Sequence, residues 1–176
     1  MTSGAYASRI FQAGQTVFRT GDRAAEAFLI RSGRVRIHVT KYGAEKEIDT
    51  VGPGRIFGEM AVLSDMNRMA SATAVETTEL VCCHRQELLR RLDDLPEFRQ
   101  ESFRFLISYS QDLMPHELMP DRPDDTETRH RDAVAYDLVE NARSTNRFEG
   151  LDPFMTGLYR LLIGYAERRL PPNFKP

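Results

Sequence analysis

The sequence predicts a mainly β protein with helices: an antiparallel β jelly-roll barrel that carries one short helix and is followed by C-terminal helices. Two observations support this prediction. From Ser8 onward, short apolar segments rich in Val, Ile and Phe alternate with glycine-containing turns, which is typical of an antiparallel sandwich or jelly roll. After residue 85 the apolar residues change to helical spacing, which indicates that the strands have ended.

The clearest strand pattern lies in residues 34–40, where polar and apolar side chains alternate. Because a strand turns successive side chains to opposite faces, one face is predicted to be buried. That face holds three β-branched residues, Val35, Ile37 and Val39. His38 is then expected to point outward, and it lacks the second histidine and the acid of a metal-binding jelly roll. Residues 45–51 are predicted as the return strand, and residues 71–76 and 79–84 as the closing strands.

Composition and charge narrow the function. The 24 basic and 26 acidic residues give a net charge of −2, without the positive excess that binds polyanions. No apolar run approaches the roughly twenty residues of a membrane span, and residues 1–9 lack a signal-peptide pattern. We therefore expect a cytoplasmic protein with no membrane partner. The adjacent Cys82 and Cys83 indicate strand packing rather than a disulfide framework or a metal site.

Residues 57–74 combine a glycine, an acid, a short apolar turn and a single arginine. Gly58 lets the backbone approach a ligand closely, and a helix starting near Glu59 presents unpaired N–H groups to an anion. The fork of N–H donors on Arg68 can hold two phosphate oxygens at once. Glu59 only accepts hydrogen bonds, so a sugar hydroxyl suits it. Together, these groups fit a ribose phosphate. Each also has a simpler explanation when taken singly: Glu59 can favour a helix N-terminus through the helix dipole, and Arg68 can form a weak surface ion pair.

The segment 57–74 resembles the phosphate-binding cassette of cyclic nucleotide-binding domains. Residues 11–22 resemble the opening strands of that family, and residues 28–37 resemble its next hairpin. The resemblance covers roughly residues 9–110. It implies that Glu59 binds the ribose 2′-hydroxyl and that Arg68 pairs with the cyclic phosphate.

The resemblance also implies the remaining ligand contacts. The complete predicted set is Gly58, Glu59, Met60, Ala61, Arg68, Met69 and Ala70, with Val51 as a candidate for the apolar wall against the base. Two positions depart from the family pattern. Asn67 replaces a frequent proline, and Met69 stands where relatives selective for cGMP tend to have threonine. Met69 has no hydrogen-bond donor, so cAMP is the expected ligand, with cGMP as the other possibility and no metal.

The sequence predicts three segments. Residues 8–113 form the jelly roll with a lid helix, residues 114–126 form a linker rich in proline and acids, and residues 127–170 form a two-helix appendage. The predicted lid helix has an apolar stripe of Phe98, Phe105, Leu106, Tyr109 and Leu113, with Phe103 and Ile107 beside it. In the appendage, the first helix is expected to bury Ala133, Val134, Leu138 and Val139. Asp152 and Pro153 predict the start of the final helix.

Many bacterial members of the family carry a helix-turn-helix after the lid helix, but we do not expect nucleic-acid binding here. Residues 115–176 hold eleven acids and nine bases, and the last helix is too apolar to read a DNA groove. We instead expect the tail to bind a partner. That partner could be an unidentified protein effector, or a second copy of the chain in a homodimer formed through the C-terminal helices.

The sequence thus predicts a sensor that binds a cyclic nucleotide and moves its C-terminal helices. Two alternatives stay open: a jelly-roll scaffold that binds no nucleotide, and a catabolite-activator-type transcription regulator with a divergent tail. An enzyme is not expected, because no nucleophile lies near a base in the sequence pattern and no set of metal ligands is evident.

Overall fold

A computed structural model describes residues 6–111, 126–144, 148–172 and 174. The chain divides after Arg91 into two compact units. The first unit contains all eight strands of the described residues, and the second is built from helices.

The strands form two four-stranded antiparallel sheets. They are β1 (Ala7–Phe11), β2 (Thr16–Phe18), β3 (Glu26–Ser32), β4 (Val35–Lys41), β5 (Ala44–Val51), β6 (Ile56–Phe57), β7 (Ser71–Ala74) and β8 (Thr78–His84). One sheet has the order β1-β8-β3-β6 and the other has the order β2-β7-β4-β5. The antiparallel jelly-roll prediction is confirmed, with the two sheets forming a sandwich that is not closed into a continuous barrel.

The segment predicted as a hairpin at residues 28–37 is instead a corner between the two sheets. β3 pairs with β8 and β6, whereas β4 pairs with β5 and β7. Gly33 makes the corner with a φ of 82°. A Cβ atom on Gly33 would lie 2.4 Å from Thr78 Oγ1 and 2.5 Å from the Thr77 carbonyl oxygen, so only glycine fits this close approach.

The side chains between the sheets form the core of the first unit. Its buried members are Phe28, Ile30, Val35, Val51, Phe57, Ala72, Leu80 and Cys82. Val35 is buried as predicted, and Ile37 and Val39 are half-buried. Cys82 and Cys83 are both buried free thiols, as expected for strand packing.

His38 lies on the outward face as predicted, since it pairs with Ser71 while Ile37 pairs with the buried Ala72, but it is not exposed to solvent. Its side chain is buried, and its Nε2 lies 3.0 Å from Thr73 Oγ1. The pairing of β4 with β5 shifts register between Ile37 and His38. The unpaired residue of this irregularity is Ile48 on β5, so the side chains of β4 keep their alternation of faces.

Two helices each follow a strand in the chain. α1 (Glu59–Leu63) follows β6, and α2 (Arg85–Asp93) follows β8 directly. Arg85 connects them: its Nε donates to the Val62 carbonyl at 2.9 Å and lies 3.5 Å from Asp65 Oδ1. Since the last carbonyls of a helix have no partner within it, Arg85 stabilises the end of α1 from the first residue of α2.

The second unit contains α3 (Glu97–Gln111), α4 (Thr126–Ser144) and α5 (Pro153–Arg169). Phe103 packs on Tyr159 with ring centres 5.0 Å apart. Tyr109 donates its hydroxyl to Asp132 Oδ1 at 2.6 Å and so joins α3 to α4. The apolar final helix is therefore buried against the two preceding helices.

The predicted start of the last helix is confirmed. Asp152 is the N-cap of α5, and its carboxylate accepts from the backbone N–H groups of Phe154 and Met155. Pro153 occupies the first helical position, where its missing N–H costs no hydrogen bond.

The predicted inward faces of α3 and α4 are only partly right. In α3, the predicted stripe residues Leu106 and Tyr109 are buried and Phe105 is half-buried, whereas Phe98 is exposed. Phe103, predicted beside the stripe, is buried against Tyr159. Leu113 lies outside the described residues. In α4, Val139 is buried as predicted, the other predicted inward residues Ala133, Val134 and Leu138 are half-buried, and Ala135, which was not predicted, is buried.

The predicted domain boundaries stay predictions. α3 belongs to the second compact unit, whereas the sequence division placed it with the jelly roll as a lid. Nearly all of the predicted linker at residues 114–126 lies outside the described residues. In the described part of the chain, no helix combines the length and apolar character that a membrane crossing requires.

Candidate functional site

The site begins at the turn between β6 and α1. Gly58 is the N-cap of α1 and adopts a left-handed conformation with a φ of 74°. A Cβ atom there would lie 2.8 Å from Arg68 Nη1 and 3.1 Å from Phe18 Cε1. Both the backbone conformation and the space therefore require glycine, which brings the start of α1 against the arginine side chain.

The backbone of Arg68 is fixed by the turn that follows β2. Its carbonyl accepts from the Gly21 N–H, and its N–H donates to the Asp22 carbonyl, both at 2.8 Å. The next residue pair continues this contact, since Arg23 and Asn67 form an isolated antiparallel bridge. This local pairing fixes the backbone of Arg68, although Arg68 is not part of a regular strand.

The guanidinium of Arg68 points into the unit and is only 5% exposed. Nη1 donates to the Gly58 carbonyl at 2.5 Å, and Nη2 donates to the Glu26 carbonyl at 2.5 Å. The guanidinium carbon lies 4.1 Å from the centre of the Phe18 ring and 5.6 Å from that of Phe28. Two carbonyls and two rings thus hold the group in one orientation.

Arg68 keeps hydrogen-bonding capacity in this orientation. A guanidinium has five N–H donors, and the two bonds described above use one on each terminal nitrogen. The buried Nε has no hydrogen-bond partner among the described residues. Burial lowers the pKa of Arg68, while the charges of Glu59, Glu26 and Asp22 act in the opposite direction. An arginine remains charged under these conditions, so the site offers a desolvated cation to an oxyanion.

Glu59 lies beside this cation. It is the first residue of α1, and only 2% of the residue is exposed. It follows Gly58, whose carbonyl accepts from Arg68 Nη1, and its charge acts against the lowering of the Arg68 pKa by burial. The arrangement combines a phosphate-binding cation with a hydrogen-bond acceptor, and a sugar phosphate needs both.

The other predicted site residues are spread around this centre. Ala61 is buried, Met60 and Ala70 are half-buried, and Met69 is 45% exposed. Val51 ends β5 and belongs to the core with Phe28 and Phe57. Ordinary core packing therefore accounts for the burial of Val51, and its role as a wall for the base stays a prediction, like the ligand roles of the other residues.

Sequence reasoning missed the groups that hold Arg68. Phe18 was assigned to an opening strand without a role, and Glu26 was not singled out. Glu26 acts on Arg68 through its backbone carbonyl, for which a sequence carries no signal. In the described residues, no group of three or more His, Cys, Asp or Glu residues could hold a metal ion.

Comparison with known proteins identifies the family of the strand-rich part of the chain. The family model described as cyclic nucleotide-binding domain matches residues 8–94. Cyclic AMP receptor protein of Thermus thermophilus is 39% identical over 89 residues, which make up 50% of this chain and 41% of that protein. The chain thus spans less than half the length of this curated relative.

Solved structures show the same fold. EAL enzyme Bd1971 in its halfsite-occupied form matches with a TM-score of 0.57 at 33% identity, covering 61% of this chain and 97% of that chain. Forms of that enzyme with bound cAMP and with bound cGMP match with TM-scores of 0.52 and 0.54. Thermus thermophilus catabolite activator protein matches with a TM-score of 0.53 at 28% identity, covering 93% of this chain and 78% of that one. The chain belongs to the cyclic nucleotide-binding domain family.

Proposed function

We propose that this protein is a sensor module that binds cAMP through the cassette of residues 57–74 and passes the binding event to its C-terminal helices. It is a binding protein and not an enzyme in this proposal. The observation that carries it is the buried, oriented guanidinium of Arg68 beside the buried carboxylate of Glu59. A cyclic ribose phosphate offers the anion and the hydroxyl that these two groups require.

The choice of cAMP rests on Met69 and on the relatives. A methionine side chain has only a weakly accepting sulfur, so it offers no hydrogen bond to the extra polar groups of guanine. Met69 is also partly exposed at the end of the cassette, where it can lie over a base. The curated relative is named as a cyclic AMP receptor protein, which favours the same nucleotide.

Transmission from the site is supported by the contact between α1 and α2. The Arg85 side chain is bonded to the Val62 carbonyl of α1, while its backbone N–H donates to the Ala25 carbonyl at 2.9 Å. A change in the position of α1 therefore acts on the first residue of α2. A ligand shifts such an arrangement only by its difference in affinity between two states. The protein effector, the homodimer and the cytoplasmic location remain predictions.

One observation favours the second candidate, a jelly-roll scaffold that binds no nucleotide. The guanidinium of Arg68 is already bonded to the carbonyls of Gly58 and Glu26. Those bonds stabilise the unit by themselves, so an arginine at this position has a structural role even without a ligand.

Isothermal titration of the purified protein with cAMP and then with cGMP distinguishes the two candidates. The sensor proposal predicts a Kd in the micromolar range or tighter for cAMP, which corresponds to about −8 kcal/mol or better, and weaker binding of cGMP. Linear 5′-AMP serves as the control for the cyclic phosphate. Absence of heat and of a thermal shift with both cyclic nucleotides favours the scaffold.

A further inference from the structure

Glu26 combines a buried carboxylate with a role in holding Arg68. The residue opens β3, faces His84 across the sheet, and is only 9% exposed. Its Oε2 bonds Arg9 Nη2, and its Oε1 lies 3.1 Å from His84 Nε2 without a hydrogen bond to it. Its carbonyl accepts from Arg68 Nη2. One residue thus connects a cluster on β1 and β8 to the phosphate-binding arginine.

The side-chain cluster explains why Glu26 can be buried. A buried carboxylate is unfavourable unless charged or hydrogen-bonding partners replace its water. Arg9 comes from β1, which pairs with β8, and β8 in turn pairs with β3. The pairing of Glu26 with His84 sets the direction of the Glu26 carbonyl, and the bond from Arg9 to the carboxylate holds the first residue of β3 in that position.

We infer that Glu26 is a positioning residue for nucleotide binding: Arg9 holds its carboxylate, and its carbonyl orients the Arg68 guanidinium toward the phosphate. This inference rests on the proposed function for its effect on affinity. Its effect on the Arg68 side chain can be measured without any nucleotide.

The competing explanation is that the cluster only strengthens the pairing of the sheet. A matched ion pair allows the two explanations to be separated. Arg31 Nη1 lies 2.6 Å from Glu79 Oε1, and this pair also joins β3 to β8, but at the opposite end of β3 from Glu26. Glu79→Gln therefore removes a comparable carboxylate from the same two strands, and Glu26→Gln removes the one that reaches Arg68.

The first experiment records the guanidinium NMR signals of protein labelled with ¹⁵N-arginine, with the Arg68 signals assigned by their loss in Arg68→Lys. We expect Glu26→Gln to shift these signals and to speed their exchange with water, and Glu79→Gln to leave them as in the wild type. Unchanged Arg68 signals in Glu26→Gln, or an equal change in Glu79→Gln, overturn the inference.

The second experiment titrates the same variants with cAMP. We expect Glu26→Gln to weaken binding about tenfold, which corresponds to about 1.4 kcal/mol, and Glu79→Gln to bind like the wild type. In the Arg68→Lys background, Glu26→Gln should have little further effect, because the positioned group is gone. Equal affinities of wild type and Glu26→Gln contradict the inference.

The two readouts separate failure of the inference from failure of the proposed function. A wild type that binds no cyclic nucleotide, with Arg68 signals that still respond to Glu26→Gln, refutes the proposed function and keeps the positioning role. Should Glu26→Gln not fold, as judged by circular dichroism, Arg9→Gln replaces it. The Arg9 side chain is 46% exposed, so it tolerates substitution, and the loss of its bond to Glu26 should move the Arg68 signals in the same direction. Unmoved signals in a folded Arg9→Gln protein then overturn the inference.

Discussion

The guanidinium carbon of Arg68 lies 4.1 Å from the centre of the Phe18 ring. Phe18 itself stacks on Phe28, with ring centres 5.9 Å apart, and so belongs to the aromatic side of the core. The ring faces a cation that has been largely removed from water, where a cation–π contact is strongest. Phe18 therefore helps to place Arg68 before any ligand arrives.

Phe18→Leu should weaken cAMP binding because it removes this contact while keeping an apolar side chain. The expected loss is about 0.5 to 2 kcal/mol, the usual range of a cation–π contact. Titration calorimetry measures it. Phe11→Leu is the control, since Phe11 is another half-buried phenylalanine against the same core. Equal losses in both variants would assign the effect to general packing.

Gly58→Ala should both destabilise the protein and impair binding. The new Cβ would approach Arg68 Nη1 to 2.8 Å at a φ of 74°, so the arginine has to move and the backbone is strained. We expect at least about 1 kcal/mol lower stability, measured by urea unfolding, from the left-handed conformation alone. Gly14→Ala is a suitable control: its φ is 82°, but a Cβ there meets open space. Retained cAMP affinity in Gly58→Ala would show that Arg68 does not need its present position.

Met69→Thr should narrow the preference for cAMP over cGMP. The added hydroxyl offers a hydrogen bond that methionine lacks, worth about 0.5 to 1.5 kcal/mol in favour of cGMP. Competition titrations with both nucleotides give the ratio directly. Met66→Thr, which changes another exposed methionine of the cassette, is the control. A ratio that stays constant would remove Met69 from the base-selecting residues.

The buried thiol of Cys82 should make stability fall in alkali. Burial raises the pKa of Cys82 to about 11, with Arg9 acting in the opposite direction. From an ordinary cysteine pKa of about 8.5 up to this value, the unfolded chain loses its proton first, so the folded state binds more protons and loses stability as pH rises. Urea unfolding of wild type and Cys82→Ala between pH 8 and 11 tests this. The difference in unfolding free energy should shrink with rising pH, by about 1.4 kcal/mol per unit at most. A constant difference would contradict it.

Much of the fold could be predicted because its signals are local. The Asp152 cap needs only one carboxylate and the following proline, and the structure has this cap in place. The cassette was recognisable because Gly58, Glu59 and Arg68 lie within a single short segment.

The errors concern long-range packing. His38 is buried on its outward face because Thr73 of β7 and Glu45 of β5 contact its ring, and a strand pattern does not predict these contacts. Phe98 is exposed although it was predicted on the apolar stripe of α3, whereas Phe103 beside the stripe is buried because it packs on Tyr159 of α5. The carbonyl of Glu26 reaches Arg68 across 42 positions of sequence, and a backbone group leaves no trace in the pattern of residue types.

The most direct test of the account is cAMP titration of the wild type, Arg68→Ala and Arg68→Lys, with Arg31→Ala as a control for the loss of one positive charge. We predict that Arg68→Ala loses on the order of 2 to 5 kcal/mol of binding free energy, because a buried phosphate is left without its charged partner. Arg68→Lys should also bind more weakly, since the ammonium cannot replace the planar fork. Arg31→Ala should bind like the wild type. Unchanged affinity in both Arg68 variants would contradict the assignment of Arg68 as the phosphate-binding residue.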